Sequence, residues 1–530
     1  MGIGIEMKRG DTILLLALAV VVYLVVTAVV SVPGYMDADY YYATAKQLAT
    51  GKGFSEPFIW NYLDNPAGIP HPSHTYWMPL TSVISAGAIY LLGDHFKAAQ
   101  FPMFIAVVLL PLLTIWLAKR FGADRRLMLS AGVISIFAGF YVPYFVTTDS
   151  FAIYAWIGSA VLILAANASH QPKSSTWFWV GVLVGLGYLT RADGLLLLIP
   201  AALAVLWNDA ARRKAIMMLA LGFLLCAAPW FIRNLLETGH LFSTGAGRTL
   251  WLLSYNEMFS YPADILTPER WWQAGIGEIF SSRISSLGII LQRFIAEIGL
   301  VFLWPFMIVG IYLQRKRREI RLLMFYFFIL LCLMMIVYPF AGAYGGIFHS
   351  GVVLLPFLWA LTPLGIDHTI EWGARIRKWD VHQAKKVLGT GAIVLVILLS
   401  IGLTWSRVVG SSISSPRWQA PHRTYTQIGE QLFDLGDTAD IVAVNNPPGF
   451  FLATGMQAVV IPNGTPETLK LVIDRYQVRW LILDINHPAD LTSLYTGDYS
   501  PTWLELIETI QDANGEDVQI WKVRSTEAAP

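Results

Sequence analysis

Gly34-Tyr35-Met36-Asp37-Ala38-Asp39-Tyr40-Tyr41-Tyr42-Ala43 follows directly on the apolar run 12–32. A bilayer takes about 17–25 apolar residues to cross, so that run is long enough to span. Two carboxylates and four tyrosines therefore stand where the chain leaves lipid. Desolvating a carboxylate there is costly, which makes such groups functional candidates by default. The plainer role for Asp37 is to cap a juxtamembrane helix.

Composition sets the class around this stretch. The chain has 530 residues, 55% hydrophobic and only 14% charged, with a mean hydropathy of +0.54. A soluble domain carries about 25% charged residues. A net charge of +1 gives no footprint for nucleic acid. Cys226 and Cys332 both lie in apolar runs, so neither a disulfide framework nor a zinc motif is expected. The first apolar run has Lys8 and Arg9 before it and reads as a retained span rather than a cleaved signal.

Spans are predicted at 12–32, 99–118, 127–146, 150–166, 176–190, 193–208, 215–233, 293–313, 320–338, 348–366 and 387–405, eleven in all. With the N-terminus inside, the basic loops at 119–126, 173, 212–214, 315–318 and 375–386 all fall on the cytoplasmic side. The run 79–92 is too short to cross and reads as a juxtamembrane helix in a first outer loop, 33–98. Within that loop Asp37 starts a helix that Gly51 and Gly53 end. The predicted architecture is a polytopic helical membrane domain, 1–406, in a cell (plasma) membrane. A small extracytoplasmic α/β domain, 407–530, follows it. Its strands are expected at 440–444, 458–461, 479–484 and 518–523, and its helices at 424–435, 467–476 and 501–512.

This topology gathers Asp37, Asp39 and Asp149 at the outer face with Lys52, His74, Arg191, Arg248 and His349. A carboxylate among cations beside lipid suits group transfer from an anionic lipid carrier. The carboxylate takes a proton from an acceptor hydroxyl, and cations hold the departing phosphate. Asp37 and Asp39 diverge by about 200° on a helix, so only one of them faces a shared cavity. Structural roles compete at each position. Asp149 could cap the next span, Arg191 and Asp193 could pair within a turn, and Tyr40–Tyr42 could form an interfacial belt.

The pattern Asp37-x-Asp39-Tyr40-Tyr41, with Gly51-Lys52-Gly53 after it, resembles the first-loop signature of the C-type (GT-C) glycosyltransferase superfamily. The nearest likeness is to the protein O-mannosyltransferase and aminoarabinose transferase-like proteins. His74-x-x-Trp77-Met78-Pro79-Leu80, Thr148-Asp149-Ser150, Arg191-Ala192-Asp193-Gly194-Leu195 and Pro229-Trp230-x-x-Arg233-Asn234 are similar to further family elements and occur in the same order. The resemblance covers about residues 12–365.

It implies inverting transfer of one sugar from a polyprenyl-phosphate donor to a protein, lipid or glycan acceptor. Asp37, or else Asp39, would be the general base and Asp149 the second acid. Tyr40, Lys52, His74, Arg191, Arg248 and His349 would contact substrate or carrier. Relatives often carry Arg-Tyr where this chain has His349-Ser350, so His349 or Arg248 would take over the phosphate. No cofactor or metal is expected, although an Asp-x-Asp pair admits Mg or Mn. A transporter or flippase would show inverted repeats and mid-membrane polar groups, and neither is evident. A membrane sensor would explain 420–530 but leave the acidic loop without a role.

Overall fold

The computed structural model describes residues 7–170, 173–207, 212–242, 244–436 and 440–524. Among these, six helices are long and apolar enough to cross a membrane, or eight if two bent pairs each count as one span. The first, Arg9–Val29, buries one stripe only, Leu15, Ala19, Tyr23 and Val26. Its remaining large apolar side chains, such as Leu14 and Val25, are exposed. A three-or-four-residue period on one side and apolar surface all round is how a helix packs with lipid behind it.

The other apolar runs also fall on helix, with three departures from continuous spans. The run 127–146 is two pieces bent by 45°, Arg125–Ile136 and Gly139–Val146. The run 348–366 begins in a bent pair, Pro339–Val353 and Leu355–Arg377, at 72°. The run 293–313 is interrupted at 299–303, where Leu300 and Val301 adopt positive φ. Its second half restarts as Trp304–Gln314 with Pro305 in the first turn. Proline lacks an N–H, so it starts helices more readily than it continues them. The run 79–92 forms a separate 13-residue helix, Leu80–Leu92.

Asp37 and Asp39 sit in the first turn of the helix Met36–Ala49. Gly34, just before it, has φ +87°, and a Cβ there would fall 2.3 Å from the Trp418 indole nitrogen. Only glycine meets both demands. The loop after this helix folds on itself. Strand β1 (Ser55–Glu56) pairs with β3 (His71–Pro72), and β2 (Phe58–Ile59) lies between them in sequence.

Strands β4 (Ile441–Val444), β5 (Ala458–Val460), β6 (Val478–Leu483), β7 (Leu504–Gln511) and β8 (Asp517–Val523) follow in the C-terminal segment. They form one six-stranded sheet with β2, in the order β2-β5-β4-β6-β8-β7. The first loop thus supplies an edge strand, Phe58 pairing parallel with Ala458. Alternate residues face opposite layers. Ala443 packs with Leu469 and Ile473 of the helix Pro466–Tyr476, while Val442 and Val444 pack with Ile428 and Leu432 of the helix Ala420–Leu435.

Two sequence expectations change here. Residues 501–512 are not a helix, because β7 pairs antiparallel with β8. Ile507, Thr509 and Ile510 favour a strand, and Gly515 at φ +83° closes the turn. A helix at Pro447–Thr454 also lies between β4 and β5, capped by Asn446 and with proline in its first turn.

Candidate active site

Asp37, Asp149 and His349 come from three separate parts of the chain and meet. His349 Nε2 is 3.0 Å from Asp149 Oδ2 and 3.4 Å from Asp37 Oδ2. Asp149 is fully buried, whereas the Asp37 side chain keeps 28% of its surface exposed. Asp149 lies between the bent span Arg125–Val146 and the helix Phe151–His170. His349 is delivered by a kink, since Tyr344 and Gly345 leave helical geometry. The kink frees the Gly345 carbonyl, which accepts from His349 Nδ1 at 2.9 Å. Phe151 stacks on the imidazole at 4.4 Å between ring centroids.

With Nδ1 so committed, Nε2 can act in two ways. As part of an imidazolium it donates to the carboxylates. As a neutral imidazole it offers a lone pair to a cation. The ligand atoms of Asp37, Asp149 and His349 all lie within 4.8 Å of one another, a spacing a divalent ion could bridge. Asp149, however, already has both oxygens engaged. Tyr35 Oη donates to Oδ2 at 2.8 Å, and Ser150 donates to Oδ1 through its backbone N–H at 2.5 Å and its hydroxyl at 3.0 Å. A protonated His349 would serve the same carboxylates as a donor, in competition with such an ion.

The two carboxyls are driven apart electrostatically. Burial raises Asp37 to about 6, against the lowering effect of His349, with Asp149 adding and Arg191 subtracting. Burial also works against the charged form of Asp149, but His349 and the donors from Ser150 and Tyr35 hold it below the usual carboxylate range. Divergence of this kind between neighbouring groups separates a permanent anion from a proton acceptor.

Arg191 stands beside them. Its Nε donates to Asp193 Oδ1 at 3.0 Å and to Ser350 Oγ at 3.1 Å. Its terminal nitrogens carry no protein hydrogen bond among the described residues. The turn that holds it depends on Gly194, whose Cβ position lies 2.1 Å from the Gly187 carbonyl oxygen. Tyr41 is within electrostatic reach of Asp37, Asp149 and Arg191.

The other expected site residues lie elsewhere. Asp39, on the opposite side of its helix, accepts from Asn446 Nδ2 at 2.8 Å. Tyr40 is buried in the first-loop core, and its hydroxyl accepts the His74 N–H at 2.6 Å. His74 is itself buried there, with Nδ1 3.3 Å from the Trp77 carbonyl. Burial and the charge of Arg233 push its imidazole down to about 3, so it is neutral. Lys52 is exposed beyond the far end of the helix, about 20 Å from Asp37 at 1.5 Å per residue. Arg248 donates to the Leu63 carbonyl at 2.8 Å and to Asp264 at 2.5 Å. It lines a separate cavity of about 890 Å³. For His74 and Arg248 a nearby carbonyl or carboxylate satisfies the group that the topology alone would have sent to the site. Tyr35 and Ser350 were not expected at the site. Tyr35 lies two residues before Asp37, which was the one available signal.

Comparison with known proteins agrees with this architecture. A model of the dolichyl-phosphate-mannose-protein mannosyltransferase family matches residues 71–232. No curated protein sequence matches. Among solved structures, ArnT from Cupriavidus metallidurans bound to undecaprenyl phosphate is similar at 13% identity and a TM-score of 0.55. The alignment covers 99% of this chain and 100% of ArnT. ArnT in the apo state aligns over 98% and 99% of the two chains, at 13% identity and a TM-score of 0.53.

The fold is that of the C-type glycosyltransferases.

The oligosaccharyltransferase of Archaeoglobus fulgidus, in a complex with Zn and sulfate, shares it over 95% of this chain and 72% of its own, at 12% identity and a TM-score of 0.53. In this chain the loop after the first span, the turn before Phe151 and the kinked segment 339–353 come together. Those are the three segments that carry Asp37, Asp149 and His349.

Proposed function

We propose that this chain transfers a single sugar from a polyprenyl-phosphate donor to an acceptor hydroxyl, with inversion, at the extracytoplasmic face. The observation that carries the reading is the meeting of Asp37 and Asp149 on His349, within a fold shared with ArnT. Asp37 is the partly exposed member and the one with a raised pKa, which suits a general base. The acceptor oxygen attacks the anomeric carbon, its proton passes to Asp37, and the bond from that carbon to the phosphate oxygen breaks. The carrier leaves as a polyprenyl phosphate anion. Arg191, whose terminal nitrogens carry no protein hydrogen bond among the described residues, receives that charge. Asp149 stays ionised and holds His349 in place.

The eleven spans expected from the sequence, with the N-terminus inside, would put the site and the C-terminal domain on the outer side, and the basic loops support that orientation. The sensor reading would leave the contact of two carboxylates on one histidine unexplained. Mass spectrometry of lipid retained by the purified protein, together with release of sugar from a panel of undecaprenyl-phosphate hexoses and pentoses, tests the reading. A bound polyprenyl phosphate and turnover of one panel member are expected, with Asp37→Asn inactive. An Asp37→Asn variant that still turns over would overturn the assignment of Asp37.

A further inference from the structure

The Asp37 helix is held from behind. Asn446 Nδ2 donates to Asp39 Oδ2 at 2.8 Å, while Asn446 Oδ1 accepts from the Gly449 N–H at 3.1 Å and so caps the helix Pro447–Thr454. Both ends of that amide are used, which fixes its orientation. The approach is close, since a Cβ on Gly449 would lie 2.5 Å from Asn446 Nδ2 and 2.7 Å from Asp39 Oδ2.

A second support comes from the linker into the C-terminal domain. Trp418 Nε1 donates to the Val32 carbonyl at 3.0 Å, and Gln419 Nε2 donates to the Val29 carbonyl at 3.2 Å. The Trp418 ring packs edge-on against Tyr35 and Tyr144. Tyr35 is the residue that donates to Asp149. Both the start of the Asp37 helix and the hydroxyl on Asp149 are thus backed by residues from beyond 415.

We infer that Asn446 and Trp418 are positioning residues, through which the C-terminal domain sets the rotation of the helix Met36–Ala49 and the placement of Tyr35. The inference rests on the transfer reading above. Asp37 and Asp39 point about 200° apart on their helix. A torque that loosens Asp39 from Asn446 therefore swings Asp37 relative to His349. A misplacement near 1 Å can cost about 100-fold in rate without touching substrate.

The test uses the full chain in nanodiscs. Asn446→Asp keeps an oxygen to cap Pro447–Thr454 but sets a carboxylate against Asp39. Adding Asp39→Asn restores a donor–acceptor pair with the roles exchanged. Expected for N446D is a loss of at least about tenfold in kcat, with the donor KM within about twofold. Faster hydrogen exchange in the peptide around 34–50 should accompany it. The double variant should recover most of both. Wild-type kcat and exchange in N446D, or a loss that the exchange of roles does not restore, would overturn the inference.

If N446D does not fold, Asn446→Ala and Trp418→Phe are read instead. Wild-type values in both overturn the inference. Hydrogen exchange needs no donor, so a chain that turns over no panel donor yet shows the expected exchange pattern refutes the transfer reading alone.

Discussion

His349 Nε2 and Asp149 Oδ2 meet at 3.0 Å across 200 positions of sequence, deep in the protein. Removing one member of a buried charged pair costs about 3–5 kcal/mol, because the other is left uncompensated. His349→Ala is expected to lower stability on that scale in a thermal or denaturant melt. His349→Gln, which keeps a donor but no charge, should fold better and still lose transfer. Since the charge of His349 lowers Asp37, its loss should move the acid limb of the pH–rate profile to higher pH.

In the unaltered protein that limb is expected near pH 6. Burial holds Asp37 at about 6, and a base must be deprotonated to act. The rate kcat/KM should therefore rise with pH through about 6 and level off above it. Asp37→Asn should cost at least about 100-fold and flatten the limb. A limb that persists at the same pH in a residually active Asp37→Asn variant would assign it to another group.

Transfer is expected to survive exhaustive chelation with EDTA. Asp149 is already met by Tyr35, Ser150 and His349, leaving a cation to compete with protein donors for it. The measurement is turnover before and after chelation, with Mg or Mn added back. Activity that vanishes and returns with the ion would mean that His349 serves as a neutral ligand instead.

Gly194→Ala is expected to be among the most damaging small substitutions. Its methyl would sit 2.1 Å from the Gly187 carbonyl oxygen, in backbone rather than in a yielding side chain. Overpacking of this kind costs about 1–3 kcal/mol or more. The turn carrying Arg191 and Asp193 would shift, so donor turnover should fall along with the melting temperature.

A pH dependence of stability, separate from catalysis, should come from His71. Its Nδ1 lies 3.1 Å from Glu56 and its Nε2 3.2 Å from Asp64. Burial alone would lower its pKa, but the bonds and charges of Asp64 and Glu56 push it up to about 9. A histidine raised on folding stabilises fully below its unfolded pKa of about 6.5 and stops contributing as pH climbs through about 9. The melting temperature should therefore fall between about pH 6.5 and 9. His71→Gln should start lower and lack that component of the fall.

Much of the site was legible before the fold. Span count and basic loops put Asp37, Asp149, Arg191 and His349 on one face together with Asp39, Lys52, His74 and Arg248, because charge in a membrane chain collects most readily at helix ends. Helical period showed that only one of the two aspartates faces inward but not which one, and it is the Asn446 contact that turns Asp39 away. His74 and Arg248 misled for one shared reason. A proline-rich loop leaves carbonyls unpaired, and a nearby cation or imidazole satisfies them locally. Sequence carries no mark of that pairing. The kink that delivers His349 was equally hidden, since it depends on Gly345 at φ +153° within an otherwise apolar run. The strand at 504–511 read as helix because only two of its eight residues are buried, leaving no alternation to see.

The pairing of β2 with β5 also has a consequence in time. Phe58 must wait for Ala458, 400 positions later. At about 5–20 residues per second, synthesis takes about 20–80 s to supply that partner. Throughout that interval the spans can enter the bilayer while Asp39 has no Asn446 to bind. The support behind the Asp37 helix is thus among the last parts of the fold to be laid down.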